Sequence, residues 1–152
     1  IFGIVLNVFA GIGAFLLGFL DDYIGGKNTV QITNLGFIFA LIIAFIAPTL
    51  DNGEFYFWIS GALIGIFMGP NQAASRSLMG RLIPKSKENE FYGFFAFSGK
   101  ATAFLGPLLF TLIIDYTNNI RLSLLMLALL FFIGMIILNT VNTTEGVRSA
   151  KN

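Results

Sequence analysis

The sequence predicts an all-α membrane protein, a helical bundle of five transmembrane helices, and three observations carry that expectation. The first is composition. Of 152 residues, 56% are hydrophobic, 18 are phenylalanine and only 11% are charged, against about 25% charged in soluble domains. The second is arrangement: apolar runs reach the ~20 residues that a helix needs to cross a hydrocarbon core ~30 Å thick. They do not alternate polar with apolar as barrel strands would. The third is punctuation, because the polar residues cluster in short connections between the runs.

In chain order, the first span covers residues 1–20 and the second 30–50, ending near Pro48. The third runs over 55–82 through Gly69-Pro70, the fourth over 91–114 with Lys100 inside it, and the fifth over 122–138. Residues 140–152 form a polar tail. The chain opens on Ile1 inside an apolar run, with no basic stretch before it and no small-residue cleavage site after it. That pattern reads as a piece of a longer chain rather than as a signal peptide. The connections at 21–29 and 81–90, with the tail, hold Lys27, Arg81, Lys85, Lys87, Arg148 and Lys151, and the opposite side holds Arg121 alone. The positive-inside rule makes the basic side, and with it the C-terminus, cytoplasmic.

Several chemistries are excluded early. Cysteine and histidine are absent, which removes disulfides, thiolate or imidazole metal sites and imidazole proton relays. A net charge of +1 is too balanced for nucleic-acid binding. No metal site, cofactor or catalytic residue is expected, since no paired carboxylates lie within the spans and no glycine-rich phosphate loop follows a strand.

Small residues let helix backbones approach in lipid. Candidate stripes are Gly3, Asn7, Gly11, Ala14 and Gly18 on the first span and Gly61, Gly65 and Gly69 on the third. The fourth has Ala96, Gly99, Ala103 and Gly106, and the second a weaker Gly36, Ala40 and Ala44. The fifth span, rich in leucine and phenylalanine, is expected to face lipid most. Packing alone is a sufficient reason for each stripe.

Polar groups inside spans are costlier, about 2.5 kcal/mol or more for a charge near the bilayer centre. Lys100 lies roughly 14 Å into its span at 1.5 Å per residue, where either a water-filled cavity or backbone carbonyls could receive it. Asn71, Gln72 and Arg76 follow Gly69-Pro70, and Gln72 and Arg76 share a face at i, i+4. Arg76 could equally snorkel to the headgroups. Pro70 and Pro107 each remove a backbone hydrogen bond and are candidate kinks. Broken helices carrying intramembrane polar groups point to a solute or ion pathway.

Two stretches resemble a known family. Gly18-Phe-Leu20-Asp-Asp22-Tyr-Ile-Gly25-Gly-Lys27 is similar to the loop signature of the major facilitator superfamily, Gly-x-Leu-x-Asp-Arg-x-Gly-Arg-Arg/Lys. It matches at Gly18, Leu20, Asp22, Gly25 and Lys27, with Tyr23 and Gly26 standing where the family prefers basic residues. Gly69-Pro-Asn-Gln-Ala-Ala-Ser-Arg-Ser, Arg81-Leu-Ile-Pro84, Glu90-Phe-Tyr-Gly93, Ser98-Gly-Lys100 and Gly106-Pro107 resemble the vacuole-effluxer-like branch, whose eukaryotic relatives are autophagy-related vacuolar amino-acid effluxers.

The resemblance implies that the chain is the C-terminal part of a twelve-helix facilitator-type carrier. Its partners would be the lipid bilayer, a small-molecule solute and the missing N-terminal half of the same chain. It implies a permease working by alternating access in a bacterial inner membrane, with amino acids the leading solute. The same polar groups would also serve a non-transporting scaffold as interhelical contacts. Asp22 is expected to accept hydrogen bonds from the first backbone N–H groups of the second span, around Gly25 to Asn28.

Overall fold

A computed structural model describes residues 2–150. Among the described residues, eight helices follow in chain order: α1 (Phe2–Leu17), α2 (Leu20–Ile24), α3 (Gly26–Ile46), α4 (Gly53–Leu82), α5 (Glu88–Ala103), α6 (Leu105–Thr117), α7 (Ile120–Thr140) and α8 (Thr143–Ala150). Two single 3₁₀ turns, Ala47–Thr49 and Lys85–Lys87, extend α3 and introduce α5. No strand occurs among the described residues. Three stretches of the described residues are long and apolar enough to cross a membrane: Gly26–Thr49, Lys85–Thr117 and Ile120–Thr140. Helix α1 is apolar but, at 16 residues, shorter. Helix α4 has 30 residues, about 45 Å of helix, and its polar second half keeps it out of that set.

Helix α3 is the centre of the bundle. It packs against α4 on one side and α7 on another, and Thr29, Thr33, Phe37, Ala40 and Ala44 along it are buried. Its Gly36, Ala40 and Ala44, the weakest stripe by sequence, are all buried. A Cβ on Gly36 would collide with the Phe67 ring of α4. Ser60 Oγ of α4 donates to the Ala40 carbonyl at 2.8 Å, and Phe37 meets Phe131 of α7 with ring centroids 4.8 Å apart. Helix α7 in turn holds α6, where Ser123 Oγ donates to the Phe110 carbonyl at 3.0 Å.

Helix α1 lies on the glycine face of α4. Gly65 faces the Leu6 carbonyl and Phe9, Gly69 faces the Ala10 carbonyl and Ala14, and Phe2 stacks on Phe57 at 5.4 Å. The α4 stripe therefore packs, whereas of the α1 stripe only Ala14 meets it. Gly3, Asn7 and Gly11 are exposed, a Cβ on Gly3 or Gly11 would meet nothing within 4 Å, and Asn7 Nδ2 bonds back to the Gly3 carbonyl. The contact residue is Gly13, the one buried residue of α1, whose added Cβ would strike the Ile66 carbonyl oxygen.

Three further expectations change. The first connection is not a loop: α2 includes Asp21 and Asp22, and α3 starts four residues before Val30. Gly25 alone joins the two helices at φ 82°, a left-handed backbone that favours glycine. The fourth span is two helices, ending at Ala103 and restarting at Leu105. Pro107 sits in the first turn of α6, where its missing N–H would otherwise have bonded the Ala103 carbonyl. Third, the small stripe of that span has no neighbour: α5 and α6 contain no buried residue, and a Cβ on Gly99 or Gly106 would meet nothing within 4 Å. This span, and not the fifth, is the most exposed. Periodicity says which residues share a face, but the neighbour that faces it is a tertiary fact. Helix α4, by contrast, runs continuously through the buried Pro70.

Gly13→Val should force α1 from α4. Overpacking costs about 1–3 kcal/mol, more than the helix propensity recovered, which stays below ~1 kcal/mol because valine is itself a poorer helix former than alanine. Thermal unfolding in detergent should show a lowered Tm for Gly13→Val and an unchanged or raised one for Gly11→Ala.

Candidate functional site

One turn of α4 concentrates the unusual chemistry. Pro70 donates no hydrogen bond, so the Ile66 carbonyl four residues earlier loses its helical partner. That carbonyl lies against Gly13, close enough for a weak Cα–H···O contact. Asn71, the next residue, is half-buried and points to α3. Its Nδ2 donates to Thr33 Oγ1 at 2.7 Å and to Asn34 Oδ1 at 3.0 Å. The Thr33 hydroxyl donates onward to the Thr29 and Val30 carbonyls at 2.9 and 3.0 Å. Thr33 is fully buried and Asn34 nearly so, at 0% and 9% exposure. A polar seam therefore crosses the α3–α4 interface.

The remaining sequence candidates lie elsewhere. Gln72 and Arg76 are exposed, about 100° and 140° around the helix from Asn71 at 3.6 residues per turn. Lys100 is exposed on α5. Helix α5 touches α4 near its own start, where Tyr92 approaches Gly80 and Phe95 closes a 240 Å³ cavity with Leu78, Met79 and Leu82. Neither Arg76 nor Lys100 has an acidic partner within 4.0 Å among the described residues. No hydrogen bond joins Lys100 to Gln72 or Arg76 there. No group of histidine, cysteine or carboxylate side chains among the described residues could hold a metal ion.

The loop signature gathers at one end of the bundle, with a change of actor. Asp22 is exposed, and no side chain caps α3. Its neighbour Asp21, with a side chain 14% exposed, pairs with Arg81 Nη2 of α4 at 3.0 Å. The expected Asp22 cap is therefore corrected to an Asp21 ion pair. In helix α2, successive side chains point about 100° apart, so only one of the two aspartates can face α4. Asp21 Oδ1 is buried without a hydrogen-bond partner. Lys27 Nζ donates to the Asn139 and Val141 carbonyls at 2.9 and 2.8 Å, placing a cation on the orphan carbonyls of α7, where the helix dipole is negative.

Gln31 Nε2 adds a bond to the Met135 carbonyl at 2.9 Å. Residues 143–150 of the expected tail form α8, whose Gly146 lies against Leu82 and whose start is capped by Asn142 Oδ1 accepting from the Glu145 N–H at 3.2 Å. At the far end, Arg121 stacks over Phe45 at 5.8 Å.

Sequence reasoning passed over Thr33, Asn34, Asp21 and Gln31. A signal existed: Thr29 and Thr33 at i, i+4, followed by Asn34, make a polar face on an otherwise apolar span.

Long apolar helices, glycine-mediated packing and a polar seam inside the bundle define an integral membrane protein of the helical-bundle class. The chain belongs to the family described as "Vacuole effluxer Atg22 like", whose profile matches residues 1–151. It is 33% identical over 151 residues to an uncharacterized MFS-type transporter, YxiO, of Bacillus subtilis, which covers 97% of this chain and 34% of that protein. Autophagy-related protein 22 of Kluyveromyces lactis is 35% identical over 98 residues, 64% of this chain and 20% of its own length. The same-named protein of Saccharomyces cerevisiae is 32% identical over 98 residues. The chain thus spans about a third or less of the relatives it matches. No solved structure matches it.

Arg81→Gln should destabilise more than Asp21→Asn. It strands a carboxylate that already has one unpaired buried oxygen, at a cost of about 1–3 kcal/mol, whereas Asp21→Asn leaves a half-exposed arginine that water can solvate. Asp22→Asn should leave the detergent Tm unchanged. An equal loss for Asp21→Asn and Asp22→Asn would contradict the ion-pair assignment.

Proposed function

We propose that this chain is the C-terminal part of a secondary active transporter that moves a small solute by alternating access, with amino acids as the leading class. The observation that carries the reading is the pair of cations, Arg76 of α4 and Lys100 of α5, that lie within the proposed spans 55–82 and 91–114 without an acidic partner among the described residues. Intramembrane charges are costly and are kept where they meet a solute, an ion or a water-filled cavity. Two cations and an amide, with no acid opposing them, suit a solute bearing a carboxylate, as every amino acid does. The family description names vacuole effluxers, and a relative is named an MFS-type transporter.

On this reading Asn71, Gln72, Arg76 and Lys100 border the pathway. Pro70 and Pro107 supply the points at which helices bend as the carrier changes face. We place the five spans at 1–20, 30–50, 55–82, 91–114 and 122–138, the fourth made of α5 and α6 in series, in a bacterial inner membrane. The end carrying Asp21, Lys27, Arg81 and α8 is cytoplasmic, consistent with its basic residues. The uncovered face of α5 and α6 then meets the N-terminal half of the carrier, and Lys100 borders that contact.

The test is counterflow of radiolabelled amino acids by the complete carrier in proteoliposomes. Lys100→Met keeps the apolar stem and should preserve expression and Tm while lowering counterflow about tenfold, the effect of ~1.4 kcal/mol. Gln72→Ala should lower it in the same direction. Counterflow unchanged in both variants would overturn the pathway assignment, and none by the native carrier for any amino acid would overturn the solute class.

A further inference from the structure

We infer that Thr33 and Asn34 are positioning residues that set the rotational phase of α4 beyond Pro70, and so the direction in which Gln72 and Arg76 point. The functional meaning of that phase rests on the pathway reading above. The phase itself follows from geometry.

Helix α4 is soft at one turn, because Pro70 cannot bond to the Ile66 carbonyl. Residues after that turn need their orientation fixed from outside. The α1 side offers little directional restraint: its contacts at Gly65, Gly69 and Gly13 are backbone against backbone or small side chain, and no side-chain hydrogen bond joins α1 to α4 among the described residues. Beyond Pro70, two tethers hold α4 by side-chain hydrogen bonds among the described residues, Asn71 to α3 and Arg81 to Asp21. Asn71 is the tether adjacent to Gln72.

The Asn71 tether is built to hold one orientation. The Thr33 hydroxyl spends its proton on the α3 backbone, leaving its oxygen free only to accept. Asn34 Oδ1 also accepts, so the two amide protons of Asn71 are divided between two fixed, buried acceptors. A single hydrogen bond would leave Asn71 free to pivot, whereas two acceptors on adjacent residues define a direction. With Asn71 locked toward α3, helical geometry directs Gln72 and Arg76 about 100° and 140° away from it.

The absence of cysteine from these residues makes the inference measurable in the complete carrier with any other cysteine replaced. Single cysteines introduced by Gln72→Cys and Ser75→Cys are labelled with a water-soluble maleimide, and the ratio of their rates reports the phase of α4. Thr33→Val or Asn34→Leu should change that ratio about threefold or more, the factor corresponding to one interhelical hydrogen bond in a membrane protein, while Thr33→Ser restores it. An unchanged ratio in both variants overturns the inference. So does a parallel change in labelling of an Ile12→Cys variant on α1, which would mean general loosening. The pathway reading fails separately: if a mixture of the standard amino acids does not slow labelling of the Gln72→Cys variant in the otherwise native carrier, the phase assignment stands and the solute contact falls.

Discussion

In hydrocarbon no water is at hand to receive a backbone group that has lost its partner, so each N–H and C=O must be bonded within the protein. The whole arrangement depends on that constraint. It restricts the spanning segments to helices and makes every interruption a local problem needing a local answer. At Pro70 the stranded Ile66 carbonyl is met by Gly13, and only a residue without a Cβ allows that approach. At Pro107 the answer is to end one helix at Ala103 and begin another at Leu105. At the end of α7, orphan carbonyls take the Lys27 ammonium.

The same constraint explains why four polar side chains of the packed helices act in interfaces. Ser60, Ser123, Gln31 and Asn71 each bridge two helices, three of them by donating to a carbonyl of the neighbour. Such bonds are worth only about 0.6 kcal/mol on average in a membrane protein, so they direct more than they stabilise. The bulk of cohesion comes from close packing on glycine and from aromatic contacts such as Phe37 with Phe131. Cohesion is uneven as a result. Helices α1, α3, α4 and α7 form the packed body, and α5 with α6 leave a long, largely exposed surface.

Charge is divided by place. At one end Asp21 with Arg81 and Lys27 with α7 tie four helices together, and α8 lies against the end of α4. Away from that end, Arg76 on α4 and Lys100 on α5 are exposed and have no such partners among the described residues. That division supports the transporter reading more directly than any single residue does.

Composition and the length of apolar runs were enough to determine an all-helical fold and membrane residence, because burial in lipid demands both. The glycine face of α4 was legible for the same reason, and the motifs around Gly69-Pro70 carried the family. What the sequence left undecided turned on neighbours. Gly13 rather than Gly11 meets α4, Asp21 rather than Asp22 takes Arg81, and Thr33 with Asn34 receive Asn71. Adjacent residues on a helix differ by about 100° in direction, and a one-dimensional pattern cannot say which direction holds the partner. Only the packing of α3 and α1 about α4 decided that.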